Sequence, residues 1–205
     1  DLKSAFVYLY HEQTGTFDRS LSIPALGGDE KIVSARITYV TQASDYPNIL
    51  IVSKSDSQKK LFIHAYQVTS DQNQQLSINE LSNLLVSADQ SGGDFVEPIN
   101  FQISTDSKFT EYWLLWDAGA RVAISYDRSQ PNSAVNRIPF TDLLDATCTG
   151  CQDFTNIVKN RLFSAGTHTF IDLNGDGRAD LALEAVDGSG ARSLELFIFQ
   201  NSGKF

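Results

Sequence analysis

Short runs of alternating apolar and polar residues, rich in Val, Ile, Phe and Tyr, recur along the chain at 5–10, 32–40, 49–53, 61–67, 112–116, 121–126, 167–171, 181–185 and 194–199. Such runs read as half-buried β-strands. Polar turns separate them, among them Ser55-Asp-Ser-Gln-Lys59, Asp117-Ala-Gly-Ala120 and Asp187-Gly-Ser-Gly190. Two segments read as helical instead. Ser77-Ile-Asn-Glu80 has the form of a capping box, in which Ser accepts from a backbone N–H three residues on and Glu reaches back. Ile78, Leu81, Leu84 and Leu85 then form one apolar stripe. The second helical segment is at 141–145 or 155–161. Both are expected as short insertions packing on their own sheet, with docking of a partner as the alternative.

The strand pattern repeats. Leu61-Phe-Ile-His-Ala-Tyr-Gln67 parallels Leu194-Glu-Leu-Phe-Ile-Phe-Gln200, and each follows a strand and a polar turn. The hairpin ending Gly15-Thr-Phe17 parallels the one ending Gly203-Lys-Phe205. Equivalent points recur at intervals of roughly 55 to 75 residues, a strand-rich period that predicts propeller blades lengthened by insertions. The fold class expected is therefore all-β, a β-propeller of about three to four blades belonging to a larger ring. The blades are expected at 1–31 (the end of one), 32–93 (with the first helical insertion), 94–163 and 164–205. A single irregular β-sandwich is the alternative.

Composition narrows the function classes. At 41% hydrophobic and 20% charged, the 205 residues can bury a core. The net charge of −9 removes the basic footprint of a nucleic-acid binder. No apolar run approaches the ~18 residues that span a bilayer. There is no signal peptide and no initiator Met, so the chain is expected to be processed or a fragment; with no Asn-x-Ser/Thr sequon, nothing in it argues for N-glycosylation.

The most specific local signal is Asp172-Leu-Asn-Gly-Asp-Gly-Arg-Ala-Asp180. Asp172, Asn174 and Asp176 supply oxygens from alternate residues, the carbonyl of Arg178 supplies another, and Asp180 follows two residues on. Calcium is a hard cation that takes six to eight oxygens, and such a loop can deliver them. Gly177 permits the bend around an ion. An EF-hand requires Glu at the twelfth position, but Leu183 stands there, and both flanks read as strands. The loop is therefore expected to join two strands and to hold Ca2+ in a structural role. An acidic turn without metal and a catalytic carboxylate set are the alternatives.

This loop with its flanks, from Phe170 to Leu183, and the hairpin ending Gln200-Asn-Ser-Gly-Lys-Phe205 resemble the FG-GAP repeat of integrin α subunits and related extracellular proteins. The resemblance implies a seven-bladed propeller, with Asp172, Asn174, Asp176, the Arg178 carbonyl and Asp180 as calcium ligands. More broadly, the order of features is similar to that of the propeller region of the T-cell immunomodulatory protein family: the Gly15–Phe17 hairpin, a middle unit over 34–67, Glu97-Pro98 before the Trp113/Trp116 hairpin, then the calcium repeat. That likeness implies an extracellular or secretory-pathway lumenal ectodomain, membrane-anchored through a segment absent from this sequence. The other units depart from the pattern. Val40, Gln42, Ser44 and Asn48 give no carboxylate cage, and Asp106 and Glu111 have the wrong spacing, so one intact site is expected.

Cys148-Thr-Gly-Cys151 is expected as a local disulfide if the chain is extracellular. Free thiols are the next alternative, then zinc, which needs further ligands, or redox chemistry, which wants a helix N-terminus. His11, His64 and His168 show no ligand spacing. No nucleophile elbow, phosphate loop or nucleotide fingerprint occurs, and a binding protein rather than an enzyme is expected. The partner expected is another protein, met by the long loops at 69–93 and 127–161. Carbohydrate stacking on Trp113 or Trp116 is the alternative, although both lie in an apolar strand suited to the core.

Overall fold

The computed structural model describes residues 5–24, 26–38, 40, 46–72, 75–91, 98–105, 108–118, 120–127, 135–143, 168–178, 180–186 and 192–200. Across them the chain is all-β. Its fourteen strands are β1 (Ala5–His11), β2 (Thr16–Ile23), β3 (Lys31–Thr38), β4 (Asn48–Ser55), β5 (Lys60–Ser70), β6 (Leu76–Glu80), β7 (Val86–Asp89), β8 (Ile99–Thr105), β9 (Lys108–Asp117), β10 (Ala120–Asp127), β11 (Asn136–Pro139), β12 (His168–Ile171), β13 (Asp180–Val186) and β14 (Arg192–Phe197). They form four sheets of sequence-consecutive strands, in the orders β1-β2, β3-β4-β5 with β6 and β7, β11-β10-β9-β8, and β12-β13-β14. The chain divides into two compact units, one holding the strands from β1 to β7 and the other those from β8 to β14.

In the first unit, β1 and β2 form a hairpin through Gly15, whose φ of +67° suits a residue without Cβ. Alternation turns Ala5, Val7, Leu21 and Ile23 to one side. There they pack on Ile49, Ile51, Tyr66 and Val68 of the larger sheet. The opposite side carries Phe6, Tyr8, Tyr10 and Phe17, all exposed. Strand β4 is buried on both faces, since Leu50 and Val52 are as fully covered as Ile51, which explains its nearly continuous apolar run.

The helix expected from Ser77 is a strand. β6 pairs antiparallel with the far half of β5, and β7 pairs with its near half. Between them lies only a 3-10 turn at Ser82–Leu84. The competing period explains the difference. Leu76 and Ile78 sit two apart and both join the core, which fits a strand as well as a stripe. The long strand β5 also presents an edge of backbone groups that need partners. Ser77 bonds Thr69 directly across the ladder at 2.8 Å instead of capping, and Glu80 bonds His64 at 2.7 Å. Much of the 69–93 stretch expected as a binding loop is thereby sheet. The second helical expectation meets a 3-10 turn at Phe140–Leu143. Residues 144–145 and the alternative at 155–161 lie outside the described residues.

A polar cluster around buried His64, Glu30 and Ser53 ties this sheet together. His64 Nε2 lies 2.9 Å from Glu30 Oε2, His64 Nδ1 lies 2.7 Å from Glu80 Oε1, and Ser53 Oγ donates to Glu30 Oε2 at 2.5 Å. Burial, then Glu80 and Glu30, push the neighbouring Tyr66 hydroxyl up to about 12. At the β4–β5 turn, Asp29 accepts from Ser55 Oγ at 2.5 Å and from the Ser57 N–H at 2.8 Å. These bonds hold its carboxyl down at about 2.

In the second unit, β9 and β10 supply the core of the β8–β11 sheet through Trp113, Leu114, Leu115, Ala123 and Ile124. Glu111 and Tyr126 are also buried and stand opposite each other in the ladder. Burial, with Glu111 second, raises the Tyr126 hydroxyl above its ordinary range. In the last sheet, Leu181, Ala182, Phe197 and Phe199 are buried.

Candidate functional site

The acidic loop joins β12 to β13 in the last sheet. Ile171 pairs with Asp180 in the antiparallel ladder, so residues 172–179 form the connection. Local bonding shapes it. Asp172 Oδ1 accepts the N–H groups of Gly175 at 2.7 Å and Asp176 at 3.1 Å, and its Oδ2 accepts that of Gly177 at 2.9 Å. The Asp176 N–H also meets Asn174 Oδ1 at 3.0 Å, and Asp176 Oδ1 accepts the Arg178 N–H at 2.9 Å. These are Asx turns in series, the motif by which Asp and Asn bend their own backbone. The N–H groups of Gly177, Gly175 and Asp176 hold the Asp172 carboxyl below its ordinary range.

Gly175 and Gly177 have φ of +77° and +82°. A Cβ at either would meet no atom within 4 Å. The glycines are thus required by backbone conformation, not by space.

Asp180 differs from the others. It is fully buried at the start of β13. Its Oδ2 accepts the Leu173 N–H and its Oδ1 the Phe199 N–H, both at 2.8 Å. One carboxylate thus fastens the beginning of the loop to the segment that follows β14. The residue types fit calcium, because every donor is a hard oxygen and Asp172, Asn174 and Asp176 are exposed. Each carboxylate oxygen has two acceptor positions: Asp172 Oδ1 fills both with the Gly175 and Asp176 N–H groups, whereas Asp172 Oδ2 and Asp176 Oδ1 each take one backbone bond and keep a position over. Among the described residues, no three His, Cys, Asp or Glu side chains gather as a metal cluster. Arg178 holds Nη1 3.9 Å from Asp176 Oδ2.

A second connection has the same closing bond. It joins β3 to β4, and Thr38 pairs with Asn48 as Ile171 does with Asp180. Asn48 is fully buried at the start of its strand. Its Oδ1 accepts the Val40 N–H at 3.0 Å, and its Nδ2 faces the Tyr66 carbonyl at 3.5 Å. In both sheets a polar residue opening the second strand thus ties back the start of the loop and reaches the third strand or the segment after it. The sequence places Asn48 at the equivalent of a ligand position but gives no hint of this fastening role.

The other sequence candidates lie elsewhere. Cys148 and Cys151 are outside the described residues. Trp113 is in the core at 3% exposure, which removes it as a sugar-stacking surface, and nothing describes the Trp116 side chain. His64 is held by two glutamates, a pairing that spacing could not reveal because Glu30 is 34 residues away. Comparison with protein-family models, curated proteins and solved structures gives no match.

Proposed function

We propose that this chain is part of a β-propeller of the FG-GAP type, stabilised by calcium in the 172–180 loop. We further propose that it serves as the protein-binding ectodomain of an extracellular or lumenal, membrane-anchored protein. One observation carries the reading: in two successive-strand sheets a loop is closed by a buried polar residue, Asn48 in one and Asp180 in the other. Sheets of consecutive antiparallel strands with a recurring fastening support a reading as blades. The second of these loops adds an all-oxygen donor set at alternate positions. Asp172, Asn174, Asp176, the Arg178 carbonyl and Asp180 are the groups that hold the ion. Calcium supplies positive charge beyond the single guanidinium of Arg178, against the three carboxylates of Asp172, Asp176 and Asp180, and its role is to fasten the turn, not to do chemistry.

Melting the chain in calcium and in chelator tests this. A ligand at about one hundred times its Kd adds about 2.7 kcal/mol, a rise in Tm of roughly 5 to 10 °C for a chain of this size. Asp176→Ala is expected to abolish the rise. Identical melting of the wild-type chain in calcium and chelator overturns the calcium reading.

A further inference from the structure

We propose that Asn174 modifies itself: the loop promotes its deamidation to aspartate and isoaspartate. Asn174 is the one asparagine in the sequence that is followed by glycine. Glycine leaves the nitrogen that must attack unshielded, and the space around Gly175 is open, with nothing within 4 Å of a Cβ built there. The loop also places a group at each end of the reaction. The Gly175 N–H donates to Asp172 Oδ1 at 2.7 Å, and Asn174 Oδ1 accepts the Asp176 N–H at 3.0 Å. The first positions a proton acceptor on the nucleophile. The second positions a donor where negative charge develops on the amide oxygen.

The step runs as follows. The Gly175 nitrogen attacks Asn174 Cγ through its π face, so the N–H bond to Asp172 can persist. As the N–Cγ bond forms, the nitrogen's proton passes to Asp172 and the electron pair of the C=O bond moves to Oδ1, under the Asp176 N–H. Collapse re-forms the C=O bond and breaks Cγ–Nδ2. The amine leaves as ammonia with the proton returned from Asp172, and a five-membered succinimide remains. Water then adds to either ring carbonyl, which gives aspartate or isoaspartate. One water is consumed, one ammonia is released, and nothing is oxidised or reduced. Aspartate adds a carboxylate to the loop, while isoaspartate lengthens its backbone by a methylene.

The test uses the intact chain in chelator at neutral pH, so it does not depend on calcium binding. Trypsin releases residues 162–178, in which Asn174 is the only amide side chain. Any amide-to-acid mass gain in that peptide therefore reports on this residue. Conversion in the folded chain is expected to run several-fold faster than in the same peptide after release. A rate equal to or below the free peptide's overturns the proposal. Asp172→Ala is expected to bring the folded-chain rate down to the peptide's, and an unchanged rate overturns the role given to Asp172.

Discussion

The β3–β4 and β12–β13 loops solve one problem with two side chains. Each must return the chain to its own sheet, and each does so through a buried residue that accepts a backbone N–H from the loop. Asn48 performs this as a neutral amide, with a donor left to face the Tyr66 carbonyl. Asp180 performs it as an acid whose second oxygen accepts the Phe199 N–H instead. The fastening bond is therefore made by a neutral amide in one sheet and by a carboxyl group in the other. What the second loop adds is Asp172 and Asp176, carboxylates beyond what closure needs. The two connections share a closing bond and differ in the exposed carboxylates that the second one carries.

Exchanging the two closing residues tests that comparison most severely. Asn48→Asp buries a carboxylate with one oxygen against a carbonyl, and it is expected to cost about 3 kcal/mol or more. Denaturant unfolding measures it, and a loss below about 1 kcal/mol breaks the equivalence of the two sites. Asp180→Ala orphans the N–H groups of Leu173 and Phe199, a loss of about 2 to 4 kcal/mol that should persist in chelator. A loss seen only in calcium would mean that Asp180 acts through the ion alone. Gly177→Ala forces a side chain to positive φ and should cost about 1 to 2 kcal/mol, again by denaturant unfolding.

The pH response sharpens the comparison from a turn with no cage. The Asp29 carboxyl lies at about 2 against an ordinary 3.8, held down by Ser55 and Ser57. Its folded value is the lower one, so its contribution is complete above the ordinary value and lost as pH falls through about 2. Acid titration of wild type against Asp29→Asn should show the two stability curves converging across that window. Parallel curves would remove the role of Asp29. The smallest effect is expected at Lys54, whose exposed pairing with Asp56 at 3.5 Å is screened by solvent; Lys54→Ala should melt with the wild-type chain, and a clear fall in Tm would show that the pair matters.

The strands were legible where apolar residues alternate, as in β1, or run nearly unbroken, as in β4 and β9. β6 was misread because Ile78, Leu81 and Leu84 satisfy a helical period as well, and only the open edge of β5 decides between them. β2 and β11 went unseen because polar residues dilute their alternation, and β7 because it is four residues long; β8 was missed although Ile99-Asn-Phe-Gln-Ile103 alternates. The acidic loop was legible because its geometry is made by neighbours in sequence: Asp172 reaches no further than Gly177. The His64 cluster and the Asp29 fastening were not, because their partners stand 34 and 26 residues away. The partner in Asp180's second bond, Phe199, was hidden for the same reason.

The split outer edge of the β3–β7 sheet has a consequence for solubility. Were β6 and β7 one strand, they would offer a long flat row of unpaired N–H and C=O groups to any other chain. The Ser82–Leu84 turn breaks that row into two short ladders. Short, interrupted edges template poorly, so the segment that imitates a helix in sequence protects the sheet against growing by intermolecular pairing.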